Sequence, residues 1–123
     1  MNIYVAHSSA FNYKEGLYKP IAQSNLAHQH HFILPHQAEG LNSRKVICND
    51  TQLFIAEVSF PSTGLGIEIG YALTHNVPVI CLYKQGTTPT NALHFINHQL
   101  IEYSDSKDFI NQLEIIVNKS KEQ

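Results

Sequence analysis

Five short apolar runs, separated by longer amphipathic stretches, constrain the fold of this chain more than any other feature of its sequence. The runs cover residues 2–6, 32–34, 52–58, 77–83 and the more polar 99–103. Continuous apolar runs bounded by polar turns are typical of strands buried on both faces, as in a parallel sheet. The sequence therefore predicts five parallel strands joined by helices.

The stretches between these runs carry apolar residues at helical spacing. We predict helices over residues 14–27, 42–48, 63–75, 89–97 and 106–118, the last capped by Ser104 or Asp105. Alternating strands and helices imply right-handed crossovers and an open sheet. We expect a flavodoxin-like (Rossmann-like) α/β fold of three layers, with strand order 2-1-3-4-5 and helices on both faces.

Length and composition indicate one domain over residues 1–123, with a tail at 118–123 that we expect to be frayed. The formal net charge is -2, Arg44 is the single arginine and the other basic residues are scattered. This distribution argues against binding of a nucleic-acid polymer, which needs clustered positive charge.

The sequence also predicts a cytoplasmic protein without a membrane segment. No apolar run approaches the roughly 18–20 residues of a membrane span. The start, MNIYVAHSS, lacks the basic and long apolar regions of a signal peptide. Cys48 and Cys81 lie in apolar runs, where we expect buried free thiols.

The segment that follows the third predicted strand is the first candidate for a functional site. In open α/β sheets, ligands bind beyond the carboxyl ends of the strands. Residues 59–70 leave that strand and enter a helix that Ser62 or Thr63 can cap, and Gly64 and Gly66 let the backbone approach a ligand closely. The helix dipole would help to keep Glu68 ionised. From these residues alone, a tight turn with a surface glutamate stabilised by the helix dipole is the simpler interpretation.

The string AEVSFPSTGLGIEIGYA at 56–72 resembles the signature of the nucleoside 2-deoxyribosyltransferase superfamily. It is most similar to the 2′-deoxynucleoside 5′-phosphate N-hydrolases, in which the pattern A-E-V-x-x-P-S-x-G-x-G-x-E-L-G-x-A occurs. The similarity continues through HNVPVICLYK and, more weakly, IYVAHSS. The resemblance implies a flavodoxin-like fold and a homodimer with its sites near the interface.

The resemblance also implies the chemistry. The substrate would be a (2′-deoxy)nucleoside or its 5′-monophosphate, and Glu68 would attack the anomeric carbon to form a glycosyl-enzyme intermediate. The sugar would then pass to water or to another base. No cofactor and no metal is implied.

Other family residues carry over one position at a time. Tyr4 would orient the nucleophile, although a core aromatic is the alternative. Ser8 would lie near the phosphate, and Ser62 would contact phosphate or sugar. His36 lies near an active-site histidine in the loop after strand two, and Asn91 lies near a serine that the neighbouring subunit supplies. By its position after strand one, His7 is a candidate for base recognition or proton transfer.

Two departures from the family pattern bear on the substrate. The aspartate that the family has in the helix before strand three has no counterpart, because the chain reads Asn42-Ser43-Arg44 there. The loop after strand one lacks the glycines and arginines of phosphate-specific relatives, so the need for a 5′-phosphate stays open. The end NKSKEQ lacks an Asn or Tyr terminus of the kind that transferases use, which favours hydrolysis.

Several alternatives remain at this level. Glu57 could pair with Glu68, or it could bond backbone N–H groups or Arg44, and we expect the structural role. His94 and His98 are spaced like zinc ligands, but we expect the histidines to be polar surface residues without a metal. A non-catalytic nucleotide-binding module is the alternative function, and a flavin carrier on the same fold is a third.

Overall fold

The computed structural model describes residues 1–37, 39–90, 93 and 100–122. A single sheet contains five parallel strands in the order β2-β1-β3-β4-β5. The predicted strand order of the flavodoxin-like fold is therefore confirmed. The strands are β1 (Asn2–His7), β2 (His31–Ile33), β3 (Leu53–Glu57), β4 (Val79–Lys84) and β5 (Leu100–Tyr103).

Helices cover both faces of this sheet, because its central strands are buried on both sides. The helices are α1 (Lys19–Gln23), α2 (Leu26–Gln29), α3 (Ser43–Asp50), α4 (Thr63–Thr74) and α5 (Ser106–Lys121). Ile3, Val5 and Ile55 point into one apolar core with side chains of α1 and α5. Tyr4 and Phe54 point into a second core with α3 and α4. This alternation along each strand decides which face receives each side chain at the strand ends.

The first predicted helix differs from the continuous one expected over residues 14–27. A π-helical turn, Lys14–Tyr18, leads into the short helix α1, and Ser24 then adopts an extended conformation before α2. Pro20 has no N–H to donate to the helical ladder, and the Ser24 hydroxyl donates to the Ile21 carbonyl at 2.6 Å. Both groups weaken a regular α-helix at this point.

The other boundaries differ by a few residues, for local reasons. β4 begins at Val79 rather than at residue 77, since Pro78 cannot donate to the ladder. The side chains of Asn42, Ser62 and Asp105 cap α3, α4 and α5. α5 continues to Lys121, beyond residue 118 where we expected fraying. Lys119 and Lys121 in its last turn stabilise the helix end by interacting with the helix dipole.

The helix predicted over residues 89–97 falls mostly outside the described residues, as does position 99 of the fifth predicted strand. Among the residues that are described, no helix combines the length and the apolarity that crossing a membrane requires.

Phe109 allows a direct test of the core beneath α5. Its side chain is fully buried and packs edge-to-face on Tyr103, with 5.0 Å between the ring centroids. We expect Phe109→Ala to lower the free energy of unfolding by about 3–5 kcal/mol, because it leaves a cavity. Ile115→Ala on the exposed side of the same helix should cost less than about 1 kcal/mol. Urea unfolding measures both, and equal losses would contradict this placement of the core.

Candidate active site

Glu68 lies in the second turn of α4 and opens into a cavity at the carboxyl edge of the sheet. The helix begins after Ser62, whose Oγ accepts from the Leu65 N–H at 3.4 Å. The cavity has a volume of about 440 Å³. Its polar side chains are those of His36, Ser43, Glu68 and Tyr71, and its remaining lining residues are Pro35, Gly40, Leu41, Gly64 and Ile67.

Tyr4 forms a hydrogen bond with the Glu68 carboxylate. Its ring is fully buried and stacks on Phe54 at 5.4 Å with an interplanar angle of 4°. Its hydroxyl bonds to Oε2 of Glu68 and lies 3.0 Å from Oγ of Ser43. Tyr4 is thus both a core aromatic and a partner of the carboxylate, so the two interpretations from the sequence are compatible.

The proton positions in this trio follow from the acid strengths of its groups. Burial and the bond to Glu68 raise the pKa of Tyr4 well above its usual value, so its phenol stays protonated and donates to the carboxylate. Because Tyr4 donates its one hydroxyl proton to Glu68, the Ser43 hydroxyl is the donor in the bond between Ser43 and Tyr4. Glu68 therefore sits at the end of a short chain of hydrogen bonds that runs from α3 through β1.

Burial dominates the ionisation of Glu68. It raises the pKa of this carboxyl above the usual value, against the hydrogen bond from Tyr4, the nearby Ser43 hydroxyl and the charge of His36, which lower it. The sequence suggested that the helix dipole would keep Glu68 ionised. In the folded protein the net shift has the opposite sign, because loss of solvent outweighs the favourable groups.

Ser43 is the site residue that the sequence did not identify. It is the first residue of α3, in the tripeptide Asn42-Ser43-Arg44 where the family pattern has an aspartate. The only indication in the sequence was the absence of the family aspartate from this tripeptide, and that absence did not distinguish Ser43 from its neighbours. The approach of α3 to β1 brings the Ser43 hydroxyl to Tyr4.

The other predicted site residues separate into groups. Gly64 and His36 line the Glu68 cavity. An ideal Cβ on Gly64 would meet only the Ser62 Oγ, at 3.9 Å, so the fold tolerates a side chain there, but that side chain would narrow the cavity. Ser62 and Gly66 instead line a second cavity of about 500 Å³. This larger cavity has no ionisable group among its described lining residues, so its size does not make it the site of chemistry.

The last residue of β1 and the residue that follows it are buried beside the Glu68 cavity rather than in its lining. Ser8 is 3% exposed, and its Oγ accepts from the Ala10 N–H at 3.0 Å, which fixes the turn after the strand. His7 is 4% exposed and bonds to the Tyr18 hydroxyl and the Ser8 carbonyl. Asn91 lies outside the described residues. Contacts of Ser8, Ser62 and Asn91 with a substrate stay predictions.

Glu57 does not pair with Glu68, because the two carboxylates lie on opposite faces of the sheet. Glu57 follows Ile55 in the strand alternation and points towards α5, where it accepts from the Ser59 N–H at 2.6 Å, the Ser59 hydroxyl at 2.9 Å and the Tyr103 hydroxyl. The Ser59 hydroxyl also accepts from the Lys84 N–H at 2.8 Å. The structural role expected for Glu57 is therefore confirmed, and the partner suggested in Arg44 is wrong.

No group of three or more His, Cys, Asp or Glu side chains within the described ranges could hold a metal ion. His94 and His98 lie outside those ranges. Both cysteines are free thiols. Cys81 is buried, whereas Cys48 is half-buried with its Sγ 3.2 Å from Nδ1 of His75.

Comparison with known proteins supports the resemblance carried by the motif at 56–72. No family model matches the chain. Two curated relatives, from Syntrophotalea carbinolica and Thermofilum pendens, are provisionally named 2′-deoxynucleoside 5′-phosphate N-hydrolase 1. The resemblance is confirmed. The relative from Syntrophotalea carbinolica is 42% identical over 52 residues, which is 42% of this chain and 37% of that relative. The relative from Thermofilum pendens is 32% identical over 87 residues, which is 62% of this chain and 61% of that relative.

A third relative of the same provisional name, from Methanosarcina barkeri, is 62% identical over 30 residues, or 24% of this chain and 19% of its own length. The matches to these N-hydrolases thus span between about one fifth and three fifths of each relative. A CMP N-glycosidase of Clostridium botulinum shares the fold, with a TM-score of 0.68 and 22% identity over 93% of this chain and 99% of the other.

The buried Glu57 should make the stability of the protein depend on pH. Burial raises the pKa of Glu57 in the folded state, so its contribution to stability is complete below the unfolded pKa and is lost as pH rises through the folded pKa. Glu57→Gln keeps the shape and removes this titration. Its free energy of unfolding relative to wild type should rise as the pH increases above about 4, the ordinary pKa of a glutamate.

Urea unfolding across this pH range measures the difference. Glu114→Gln on the exposed side of α5 is the control, and its difference from wild type should stay within about 0.5 kcal/mol. A Glu57→Gln variant that loses stability relative to wild type as pH rises would show that the ionised carboxylate is the favoured form in the fold.

Proposed function

We propose that the protein cleaves the N-glycosidic bond of a (2′-deoxy)nucleoside or its 5′-monophosphate, with Glu68 as the nucleophile. The observation that carries this proposal is a half-buried carboxylate in a cavity at the carboxyl edge of the sheet, oriented by a hydrogen bond from the fully buried Tyr4. The names of the curated relatives and of the N-glycosidase that shares the fold support the reaction class.

The reaction has two steps. One Glu68 oxygen bonds to C1′ of the sugar while the bond from C1′ to the base nitrogen breaks, and the base leaves with the electron pair and takes up a proton. The transition state resembles an oxocarbenium ion, which the carboxylate stabilises. Water then attacks C1′ of the glycosyl ester, loses a proton and frees Glu68. Attack by a second base instead of water would make the protein a transferase.

His36 is our candidate for the donor of the proton to the leaving base. Ser43 belongs to the tripeptide where the family pattern has an acid, but a serine hydroxyl is far too weak an acid to supply a proton at neutral pH. The titratable side chains among the residues that line the cavity are Glu68, His36 and Tyr71. Histidine is the one of these whose ordinary pKa suits proton transfer near neutrality.

The charge around the cavity bears on the need for a 5′-phosphate. Its described lining contains no Lys or Arg. Lys14 and Lys19 line an adjoining cavity of about 300 Å³, which shares His36 with the first. A neutral nucleoside fits the first cavity alone, and a monophosphate needs to reach towards Lys14. Assays of base release from matched nucleosides and monophosphates decide between these substrates.

Two further parts of the proposal come from the resemblance. We expect hydrolysis rather than transfer, which added free base tests by the appearance of a new nucleoside. We also expect a homodimer with the sites near its interface, and analytical ultracentrifugation measures that state.

A non-catalytic nucleotide-binding module is the second candidate, favoured by the lack of a counterpart to the family aspartate in Asn42-Ser43-Arg44. It predicts that no base is released from any nucleoside or monophosphate, and that Glu68→Ala binds nucleotide as tightly as wild type. Base release by wild type rejects it.

Glu68→Gln should lower the rate of base release by about 1,000-fold or more, because the amide cannot form the glycosyl ester. Chromatography of the free base measures the rate. Glu114→Gln changes an exposed glutamate outside the cavity and should retain the wild-type rate. Near-normal release by Glu68→Gln would remove this residue from the mechanism.

Tyr4→Phe should move the acid limb of the kcat/KM profile to higher pH. The Tyr4 hydroxyl lowers the pKa of Glu68, so its removal raises that pKa and the nucleophile ionises at higher pH. Tyr83→Phe on β4, outside the cavity lining, is the matched control. A limb that stays in place or moves to lower pH would contradict the bond between Tyr4 and the reactive carboxylate.

A further inference from the structure

Tyr18 does not line the Glu68 cavity, but its hydroxyl forms hydrogen bonds both with the end of β1 and with the loop that carries His36. We propose that Tyr18 is a positioning residue that acts through His36, holding the loop after β2 so that the His36 ring faces Glu68. This inference rests on the proposed function, in which His36 assists departure of the base.

The hydrogen bonds around Tyr18 have one consistent direction. Nδ1 of His7 lies 2.9 Å from the Ser8 carbonyl, which can only accept, so Nδ1 carries a proton. Burial lowers the pKa of His7, so the ring is neutral and its Nε2 is an acceptor. The Tyr18 hydroxyl, 2.7 Å from that nitrogen, therefore donates to it. The oxygen of the same hydroxyl accepts from the His36 backbone N–H at 3.1 Å.

Aromatic packing reinforces this link. The His7 ring stacks on Tyr13 with 4.5 Å between the centroids, and the His36 ring lies 4.9 Å from both. His7 points into the core on the side of α1, whereas Glu68 lies on the side of α4. His36 bridges these two sides at the edge of the sheet, so the position of its loop determines how its ring faces the cavity.

The local fold of the segment after β1 brings Tyr18 to this place. Tyr18 is 4% exposed and is the last residue of the π-helical turn Lys14–Tyr18. The extra residue of a π-turn changes the direction of the side chains that follow it, and such turns are frequent at functional sites. Here the turn sets the Tyr18 hydroxyl between the end of β1 and the loop after β2.

A double-mutant cycle on base release tests the inference. Tyr18→Phe should lower kcat/KM about tenfold in the wild-type background and by less than about twofold when His36→Ala is already present. A purely structural role for Tyr18 would give the same loss in both backgrounds, and that result would overturn the inference. Circular dichroism checks that each variant folds.

Tyr13→Phe is the matched control. Its ring belongs to the same aromatic cluster, but its hydroxyl forms no hydrogen bond with the described residues. We expect kcat/KM within about twofold of wild type. An equal loss in Tyr13→Phe and Tyr18→Phe would assign the effect to general packing and contradict a specific role of the Tyr18 hydroxyl.

Nuclear magnetic resonance gives a readout that does not depend on activity. In wild type, His7 should be the neutral tautomer protonated at Nδ1, and a tautomer protonated at Nε2 would overturn the inference even if Tyr18→Phe failed to fold. The His36 backbone amide signal should shift in Tyr18→Phe but not in Tyr13→Phe. If it shifts while wild type releases no base, positioning of His36 stands and the proposed function fails; if wild type is active and the signal is unmoved, the inference alone fails.

Discussion

Burial of both faces of the five-stranded parallel sheet is the constraint on which the rest of the structure depends. Because side chains alternate along β1 and β3, neighbouring residues enter different cores. Tyr4 faces α3 and α4, whereas His7 and Glu57 face α1 and α5. The candidate site therefore lies at the edge where the two cores meet. Tyr4 bonds to Glu68 from one face, and Tyr18 bonds to the backbone of His36 from the other.

For this reason, the buried Glu57 and the half-buried Glu68 have different surroundings, although both belong to one motif. Glu57 ends β3 and is closed in by Ser59 and Tyr103, so all its described partners belong to the protein. Glu68 bonds to Tyr4 on one side and opens into a cavity on the other. Burial raises the pKa of both. Only Glu68 has space beside it for a substrate, and this difference in access separates a structural carboxylate from a candidate nucleophile.

Much of the fold was predictable from the sequence, because continuous apolar runs determine the buried strands and the caps Ser62 and Asp105 follow from local chemistry. We expected one continuous helix over residues 14–27 and did not foresee its break, which arises from the missing N–H of Pro20 together with the Ser24 side chain. Within the candidate site, the motif pointed to Glu68, and the resemblance pointed to Tyr4. Neither Ser43 nor Tyr18 could be expected there from the sequence, because their neighbours in space are distant in the chain.

The sequence by itself determined the strand order, the turn that leads into α4 and the position of Glu68 on that helix, since these depend on local propensity, apolar patterning and one specific motif. Only the tertiary structure decided that Glu57 faces away from Glu68 and that Ser62 and Gly66 line a different cavity. It also decided that the Tyr18 hydroxyl connects the His36 backbone to His7 by hydrogen bonds. The physical reason is that these relations depend on the strand face and on the approach of α3 and the loop after β2 to β1. No local pattern in the chain encodes such distances.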